Sequence, residues 1–215
     1  MRYKAVIFDM DGTILDTLDD LAGSVNHSLQ KYGYPIRSRE EIRSFLGNGM
    51  VRLIHLSVPD GISKEAEEAV LNEHKSYYPL HSCDLTRPYD GIVDLLRKLK
   101  NHGFKTAVVS NKSDSNVKSL VSGFFDGLFD VSIGSTEGIA RKPAPDMVNI
   151  ALERLGVSKE DAIYIGDSEV DLNTAKNSFL DMITVTWGFR DKDHLIKNGA
   201  TVFADTPREI LDLLY

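Results

Sequence analysis

Residues 6–17 read VIFDMDGTILDT, an apolar run that ends at a loop with three carboxylates, Asp9, Asp11 and Asp16. The preceding residues 5–8 are apolar, with two β-branched side chains, which is typical of a strand buried on both faces of a sheet. Gly12 allows the chain to turn sharply after that strand. Open parallel sheets bind ligands outside the carboxyl ends of their strands, so acids at this place indicate a functional site.

Apolar runs of the same kind follow at 106–109, 131–133, 162–165, 183–186 and 201–203. Helical patterns lie between them, at 92–100 with Asp90 as the expected N-cap, and at 145–155. Strands that alternate with helices predict an α/β fold with a parallel sheet covered on both faces. We therefore expect a Rossmann-like three-layer core.

One segment, residues 18–81, breaks this alternation because it shows only helical periodicity. Leu18, Leu21, Val25 and Leu29 recur at helical spacing, and Ser38 with Glu41 forms an expected capping box. These patterns predict an inserted helical domain. We expect a core domain of residues 1–15 and 88–215 and a helical domain of residues 16–87.

Composition limits the classes of partner. Lys and Arg number 25 against 32 Asp and Glu, and the formal charge of −7 argues against nucleic acid or an anionic membrane as a general partner. The single cysteine, Cys83, cannot form an internal disulfide and fits a reducing compartment. The N-terminal apolar run is too short for a secretory signal, and no run of about 18 apolar residues occurs. We expect a cytoplasmic protein, whose oligomeric state the sequence leaves open.

Polar residues also follow the later strands, in VVSNK (108–112), ARKPAPD (140–146) and YIGDSEVD (164–171). Carboxylates that cluster in a cleft repel one another and need a cation, and oxygen-only ligands favour Mg²⁺. A lysine and a serine beside that cation would form a receptor for a phosphoryl group. One carboxylate could then attack phosphorus while another, two residues on, serves as acid and base.

The segments FDMDGT (8–13), VVSNK, RKPAPD and IGDSEVD resemble, in this order, the four motifs of the haloacid dehalogenase superfamily of phosphotransferases. The helical insert resembles the superfamily's type 1 cap. FLGNGMVRLI (45–54), RPYDGI (87–92) and VTWGF (185–189) are most similar to the phosphoglycolate phosphatases of that superfamily.

The resemblance implies a mechanism and a ligand for each motif. Asp9 would be the nucleophile and Asp11 the general acid and base, with Lys142 offsetting charge between nucleophile and substrate. Magnesium would be held by Asp9, the backbone carbonyl of Asp11, Asp167 and, directly or through water, Asp171. The phosphate-binding candidates are Gly12, Ser110, Asn111 and Lys142, and the substrate would be a small phosphorylated metabolite.

In the helical insert, Gly47–Met50 interrupts the helical pattern. This GNGM segment is either a plain helix break or, as the resemblance suggests, a substrate-selecting loop through Asn48 and Gly49. Arg52 would meet an anionic substrate tail or lie in solvent.

Simpler structural interpretations exist for each residue taken singly. Asp9 and Asp11 could form a turn, Ser110 and Asn111 could cap a helix, and Lys142 could be a surface lysine. Their joint occurrence at four strand ends favours the functional interpretation.

The sequence leaves three functions open. The first is a phosphatase, or its close variant a pyrophosphatase. The second is a hexose-phosphate mutase of the same fold. The third is a non-catalytic receiver-like module, which explains Asp11 and the helical insert poorly.

Overall fold

The computed structural model describes residues 2–215. The chain divides into two compact units, one that joins the chain up to Asp16 with Pro88–Tyr215, and another that comprises Thr17–Arg87. The sequence patterns predicted that the helical unit begins at residue 16, one residue before the boundary in the structure.

The strands are, in chain order, β1 (Ala5–Phe8), β2 (Leu15–Asp16), β3 (Arg87–Pro88), β4 (Lys105–Ser113), β5 (Val131–Ser135), β6 (Ala162–Gly166), β7 (Asp181–Val185) and β8 (Phe203–Ala204). Six of them form one parallel sheet in the order β5-β4-β1-β6-β7-β8. The two-residue strands β2 and β3 pair with each other. Strand β1, the first in the chain, therefore lies in the middle of the large sheet, between β4 and β6.

The helices of the first unit are α5 (Ile92–Asn101), α6 (Asp114–Phe124), α7 (Asp146–Leu155), α8 (Glu169–Ser178), α9 (Lys192–Lys197) and α10 (Pro207–Leu213), with a 3₁₀ turn at Lys159–Asp161. The helices of the second unit are α1 (Leu18–Lys31), α2 (Arg39–Phe45), α3 (Gly49–Ser57) and α4 (Lys64–His81).

Alternate residues of β1 enter different hydrophobic clusters on the two faces of the sheet. Val6 and Phe8 pack with side chains from α5, α6 and α10. Ala5 and Ile7 pack with side chains from α7 and α8. Successive strand side chains point to opposite faces, so a sheet with both faces covered must be apolar throughout. This three-layer arrangement confirms the predicted α/β class and explains the run AVIF.

The second unit is helical, in agreement with the periodicity of residues 18–81. The predicted capping box is present: the N–H of Glu41 donates to Ser38 Oγ (3.2 Å), and the N–H of Ser38 donates to Glu41 Oε2 (2.7 Å). Ser24 Oγ and His74 Nδ1, 3.0 Å apart and buried, link α1 to α4. Helix α1 buries Leu21, Val25 and Leu29, the face that the spacing predicted.

Several boundaries differ from the expected ones. Strand β4 continues past residue 109 to Ser113, with an irregular register beyond Val109, because Ser113 still pairs with Ser135 of β5. The last strand lies at Phe203–Ala204 instead of 201–203, and β7 begins at Asp181 instead of 183. The N-cap of α5 is Gly91, with φ of 86°, and not Asp90. A residue without a Cβ adopts that left-handed conformation without strain.

Candidate active site

The carboxyl ends of the central strands carry the predicted site residues of the first unit. Asp9 and Asp11 follow β1, Ser110 lies in the extended end of β4, and Asp167 follows β6. Lys142 lies in the loop that connects β5 to α7. Parallel strands end at the same edge of a sheet, so residues far apart in the sequence meet there.

The ammonium of Lys142 is the centre of a buried polar cluster. Its Nζ donates to Asp9 Oδ1 (2.6 Å), to Asp171 Oδ1 (2.8 Å) and to the hydroxyl oxygen of Tyr164 (3.0 Å). Burial alone would lower the pKa of Lys142, but the charges of Asp171 and Asp9 raise that pKa well above its usual value. Lys142 is therefore a fixed positive charge beside Asp9.

Asp171 holds this lysine and the end of β6 together. Its Oδ1 accepts hydrogen bonds from Lys142 and from the Tyr164 hydroxyl (3.1 Å). Its Oδ2 accepts from the Ser168 hydroxyl (2.6 Å) and from the N–H groups of Ser168 (3.1 Å) and Asp167 (3.2 Å). Both oxygens are thus engaged by protein donors, which suits a residue that positions Lys142. A direct metal-ligand role for Asp171 stays a prediction.

Asp167 is oriented by two donors from separate loops. Thr13 Oγ1 donates to Oδ1 (3.0 Å), and the N–H of Phe189 donates to Oδ2 (2.7 Å). Trp187 Nε1 in turn donates to the carbonyl of Thr13 (3.1 Å). The segment after β7, noted in the sequence only for its resemblance, therefore fixes both the first loop and the Asp167 carboxylate.

Glycines leave the space that these acids occupy. A Cβ on Gly188 would lie 2.3 Å from Asp167 Cβ, and one on Gly12 would lie 2.4 Å from Asp167 Oδ2. A Cβ on Gly166 would lie 2.4 Å from Asp171 Cγ. Real Cβ atoms do not approach other atoms so closely, so both carboxylates depend on glycine neighbours.

Three carboxylates form a group that suits a hard divalent cation. One oxygen from each of Asp9, Asp167 and Asp171 lies within 4.8 Å of the others, and all three residues are buried. Burial first, and the charge of Asp171 next, raise the pKa of Asp9 and raise the pKa of Asp167 to about 7. Oxygen ligands of this kind match Mg²⁺, whose charge would let the acids ionise together. The donor set therefore fits the predicted metal.

The Asp11 carboxylate is not one of these three and is paired with a lysine. Lys112 Nζ lies 3.2 Å from Asp11 Oδ1, and the Lys112 side chain is only 5% exposed. Lys112 is the last residue of the segment VVSNK, but the sequence did not predict its pairing with Asp11. Tyr164, whose hydroxyl contacts Lys142, was likewise missed, because a tyrosine in a buried strand reads as core.

Two predicted phosphate-binding residues have other contacts. The N–H of Gly12 donates to the carbonyl of Leu15 (2.9 Å), so this amide is used within the loop and Gly12 contributes space. Asn111 Nδ2 donates to the backbone carbonyl of Lys142 (3.1 Å), which supports the lysine loop. Helix α6 is capped at Ser113, so neither Ser110 nor Asn111 is its N-cap. Ser110 is buried, and its Oγ accepts the N–H of Lys112 (3.2 Å).

The candidates of the helical unit lie between α2 and α3. Asn48 immediately precedes α3 and is exposed, and Gly49 opens that helix with φ of +80°. The break in the helical pattern is confirmed, and Arg52 lies exposed on α3. A substrate-binding role for Asn48 and Gly49 stays a prediction.

A family model of haloacid dehalogenase-like hydrolases matches residues 6–185. The chain belongs to this family. Phosphoglycolate phosphatase 1 of Pseudomonas aeruginosa is 31% identical to this haloacid dehalogenase-like hydrolase over 214 residues, which cover 97% of this chain and 78% of that protein. N-acetylmuramic acid 6-phosphate phosphatase of the same organism is 28% identical over 216 residues, covering 100% of this chain and 96% of that protein.

A solved structure supports the same assignment. The crystal structure of a candidate phosphoglycolate phosphatase from Lactobacillus delbrueckii subsp. bulgaricus matches with a TM-score of 0.95 and 39% identity, covering 100% of this chain and 99% of that one. The haloacid dehalogenase-like hydrolase described here is therefore a phosphatase. Within residues 2–215, none of the helices is both long and apolar enough to span a membrane.

Proposed function

We propose that this phosphatase hydrolyses 2-phosphoglycolate or a similarly small phosphomonoester, through an aspartyl phosphate on Asp9 and with Mg²⁺ as cofactor. The observation that carries the proposal is the 2.6 Å contact between Lys142 Nζ and Asp9 Oδ1 inside a buried group of carboxylates. A carboxylate in such a group, beside a fixed ammonium, is suited to meet a phosphoryl dianion.

In the first half-reaction, an oxygen of Asp9 bonds to phosphorus while the bond from phosphorus to the ester oxygen breaks. The leaving alkoxide takes a proton from Asp11. Lys142 donates to Asp9 in the resting protein and reduces repulsion between that carboxylate and the incoming phosphoryl group. Ser110, whose hydroxyl proton is a donor, is the chain's second candidate for contact with a phosphoryl oxygen.

In the second half-reaction, a water molecule attacks phosphorus, and the Asp11 carboxylate takes the water's proton. The bond between Asp9 and phosphorus breaks, which releases inorganic phosphate and restores both aspartates. Asp9, Asp167 and the backbone carbonyl of Asp11 would hold Mg²⁺. When bound, this ion supplies positive charge that offsets the charge of the phosphoryl group and of the acids.

The substrate part of the proposal draws on the relatives, and one of them points to a second class of ester. The protein named phosphoglycolate phosphatase 1 and the protein named N-acetylmuramic acid 6-phosphate phosphatase have similar identity to this chain. The two substrate classes therefore belong in one experiment.

A substrate panel tests the proposal. Purified protein with Mg²⁺ is assayed on 2-phosphoglycolate, N-acetylmuramic acid 6-phosphate, pyrophosphate and glucose 1-phosphate, and the substrates are ranked by kcat/KM. We expect the highest value and free phosphate for 2-phosphoglycolate. A higher kcat/KM for another compound of the panel would show that 2-phosphoglycolate is not the preferred substrate. Conversion of glucose 1-phosphate to an isomeric phosphate ester would show that the protein is a mutase.

The covalent step has its own measurement. Asp9→Asn should abolish turnover, and the intact mass of rapidly quenched wild-type protein should show one added phosphoryl group. Asp94→Asn is the matched control, since Asp94 is an exposed aspartate of the same unit paired with Arg97 (3.3 Å). Full turnover in Asp9→Asn would reject the mechanism.

A further inference from the structure

Lys112 is a nearly buried lysine that the proposed mechanism does not use. Its side chain is 5% exposed, and its Nζ lies 3.2 Å from Oδ1 of Asp11, a side chain that is 22% exposed. Strand β4 continues past Val109 with an irregular register, and this continuation carries Lys112 to the same edge as the first loop. Burying an ammonium is costly unless it meets opposite charge, and Asp11 supplies that charge here.

The place of Asp11 in the reaction defines what lies near Lys112. If Asp11 protonates the leaving oxygen, the ester oxygen must come within hydrogen-bond reach of the Asp11 carboxyl group. An ammonium 3.2 Å from that carboxyl group is then a neighbour of the leaving group. In 2-phosphoglycolate a single methylene separates the ester oxygen from the carboxylate, so the carboxylate falls in the region that Lys112 can reach.

We propose that Lys112 is a specificity-determining residue whose ammonium binds a carboxylate on the leaving group. This inference rests on the proposed function and deepens it, because it names the chemical class of substrate: phosphate esters of alcohols with an anionic group close to the ester oxygen.

The charges of the unit agree with such a substrate. Asp9 and Asp171 lie beside the Lys142 ammonium, and Asp11 lies beside the Lys112 ammonium. The positive charge of Arg190 acts on Asp167, where it opposes the rise in pKa. Lys142 lies beside the nucleophile, whereas Lys112 lies beside the acid. A substrate with its phosphate beside Asp9 and its carboxylate beside Asp11 would therefore meet one ammonium at each end.

A different role for Lys112 would be to orient Asp11 alone. In that case its loss would slow all esters alike, because every leaving oxygen needs a proton. The selectivity between a charged and a neutral leaving group separates the two roles.

The test compares 2-phosphoglycolate with 2-hydroxyethyl phosphate, which has the same chain length and a neutral hydroxyl end. The variants are Lys112→Met, which keeps the length of the side chain without its charge, and Lys112→Arg, which keeps the charge. Lys118→Met is the matched control, since it removes another Lys–Asp pair, with Asp114 (2.6 Å), from an exposed site of the same unit.

We expect Lys112→Met to lower the ratio of kcat/KM for 2-phosphoglycolate to that for 2-hydroxyethyl phosphate by about tenfold or more, the size of a lost charge-assisted hydrogen bond. Lys112→Arg should retain most of the ratio, and Lys118→Met all of it. An unchanged ratio in Lys112→Met would overturn the proposal, whether or not the absolute rates fall.

A binding measurement keeps this result separate from the proposed function. The inhibition constants of 3-phosphonopropionate and propylphosphonate are measured against p-nitrophenyl phosphate in wild type and Lys112→Met. Tighter inhibition by the carboxylate compound, lost in Lys112→Met, supports the role of Lys112 even if wild type does not hydrolyse 2-phosphoglycolate. Equal inhibition of wild type by both compounds would overturn that role even if 2-phosphoglycolate proves to be the substrate.

Discussion

Lys142 Nζ lies 2.6 Å from Asp9 Oδ1, although the two residues are 133 positions apart in the sequence. The same nitrogen donates to Asp171 and to Tyr164. Three oxygens thus fix the direction of the ammonium before any substrate arrives. Preorganised charge of this kind stabilises a transition state without the cost of reorientation. Residues that hold the ammonium should therefore affect catalysis without touching the substrate.

Tyr164→Phe removes one hydroxyl that contacts both Lys142 (3.0 Å) and Asp171 (3.1 Å). We expect kcat/KM for p-nitrophenyl phosphate to fall about three- to tenfold, because a net hydrogen bond contributes about 1 kcal/mol. The inhibition constant of inorganic phosphate should rise in parallel, since phosphate meets the same ammonium.

Tyr3→Phe is the control for this prediction. The Tyr3 hydroxyl also donates to an aspartate, Asp181 (2.8 Å), in the same unit. Its loss should change stability and leave phosphate inhibition unchanged. If the inhibition constant of inorganic phosphate is the same in Tyr164→Phe, Tyr3→Phe and wild type, the Tyr164 hydroxyl does not position Lys142.

The strands and most of the polar cluster were predictable because each has a local signal. Runs such as 162–165 are apolar without a break, and Asp9 and Asp167 directly follow such runs. By contrast, the Lys112–Asp11 pair and the Tyr164 hydroxyl bond join residues from separate segments, and only the folded sheet sets those distances.

Some local expectations failed for physical reasons. Asp90 is a favourable N-cap type, but Gly91 takes the left-handed conformation that α5 needs at its start. The Gly12 N–H donates to the Leu15 carbonyl within the same loop, a contact that the sequence did not predict. Backbone hydrogen bonding in a tight loop is decided by the loop's full path, which residue types alone do not specify.

Gly188→Ala should disturb Asp167, because the added Cβ would lie 2.3 Å from Asp167 Cβ. We expect a loss of about 1–3 kcal/mol in the free energy of unfolding, as for other overpacked sites. Affinity for Mg²⁺ should also fall, measured by titration calorimetry. Gly123→Ala is the control: this glycine of α6 has open space around its Cβ position, so stability should be kept or slightly raised. A normal Mg²⁺ affinity in Gly188→Ala would contradict the prediction.

The metal-free protein should lose stability as pH rises, through Asp167. Burial first, and the charge of Asp171 next, raise the pKa of Asp167 to about 7, whereas the pKa of an aspartate in an unfolded chain is about 3.9. Between these values the folded state holds a proton that the unfolded state has released, so the free energy of unfolding falls with pH and levels off above about 7. We expect this contribution to be about 2–3 kcal/mol between about pH 5 and pH 8.

Urea unfolding in EDTA measures this effect as the difference between wild type and Asp167→Asn, which carries no titrating group at that position. Mg²⁺ should reverse the trend in wild type, because a carboxylate binds metal in its ionised form. A wild-type stability that rises relative to Asp167→Asn across this range, in EDTA, would show that the pKa is not raised.

Asp20→Asn should destabilise the helical unit. The buried Asp20 carboxylate accepts the N–H of Leu85 at both oxygens (2.9 and 3.1 Å) and the N–H of Thr86 at Oδ2 (2.8 Å). An asparagine oxygen at the Oδ2 position still accepts both N–H groups, but it lacks the negative charge, and its NH₂ group faces the Leu85 N–H where Oδ1 stood. We expect a loss of about 1–3 kcal/mol and faster hydrogen exchange at Leu85 and Thr86.

The neighbouring Asp19→Asn is the control for Asp20, since Asp19 is exposed and pairs with Arg39 (2.6 Å) at the surface of the same unit. Surface ion pairs contribute about 0–1 kcal/mol, so this variant should unfold close to wild type. Hydrogen exchange distinguishes a local effect from a global one. If Asp20 holds the returning chain, protection at residues 85 and 86 falls by more than protection in α1, whose own backbone hydrogen bonds are intact. Equal losses at both places, or none in Asp20→Asn, would show that the carboxylate does not fix this segment.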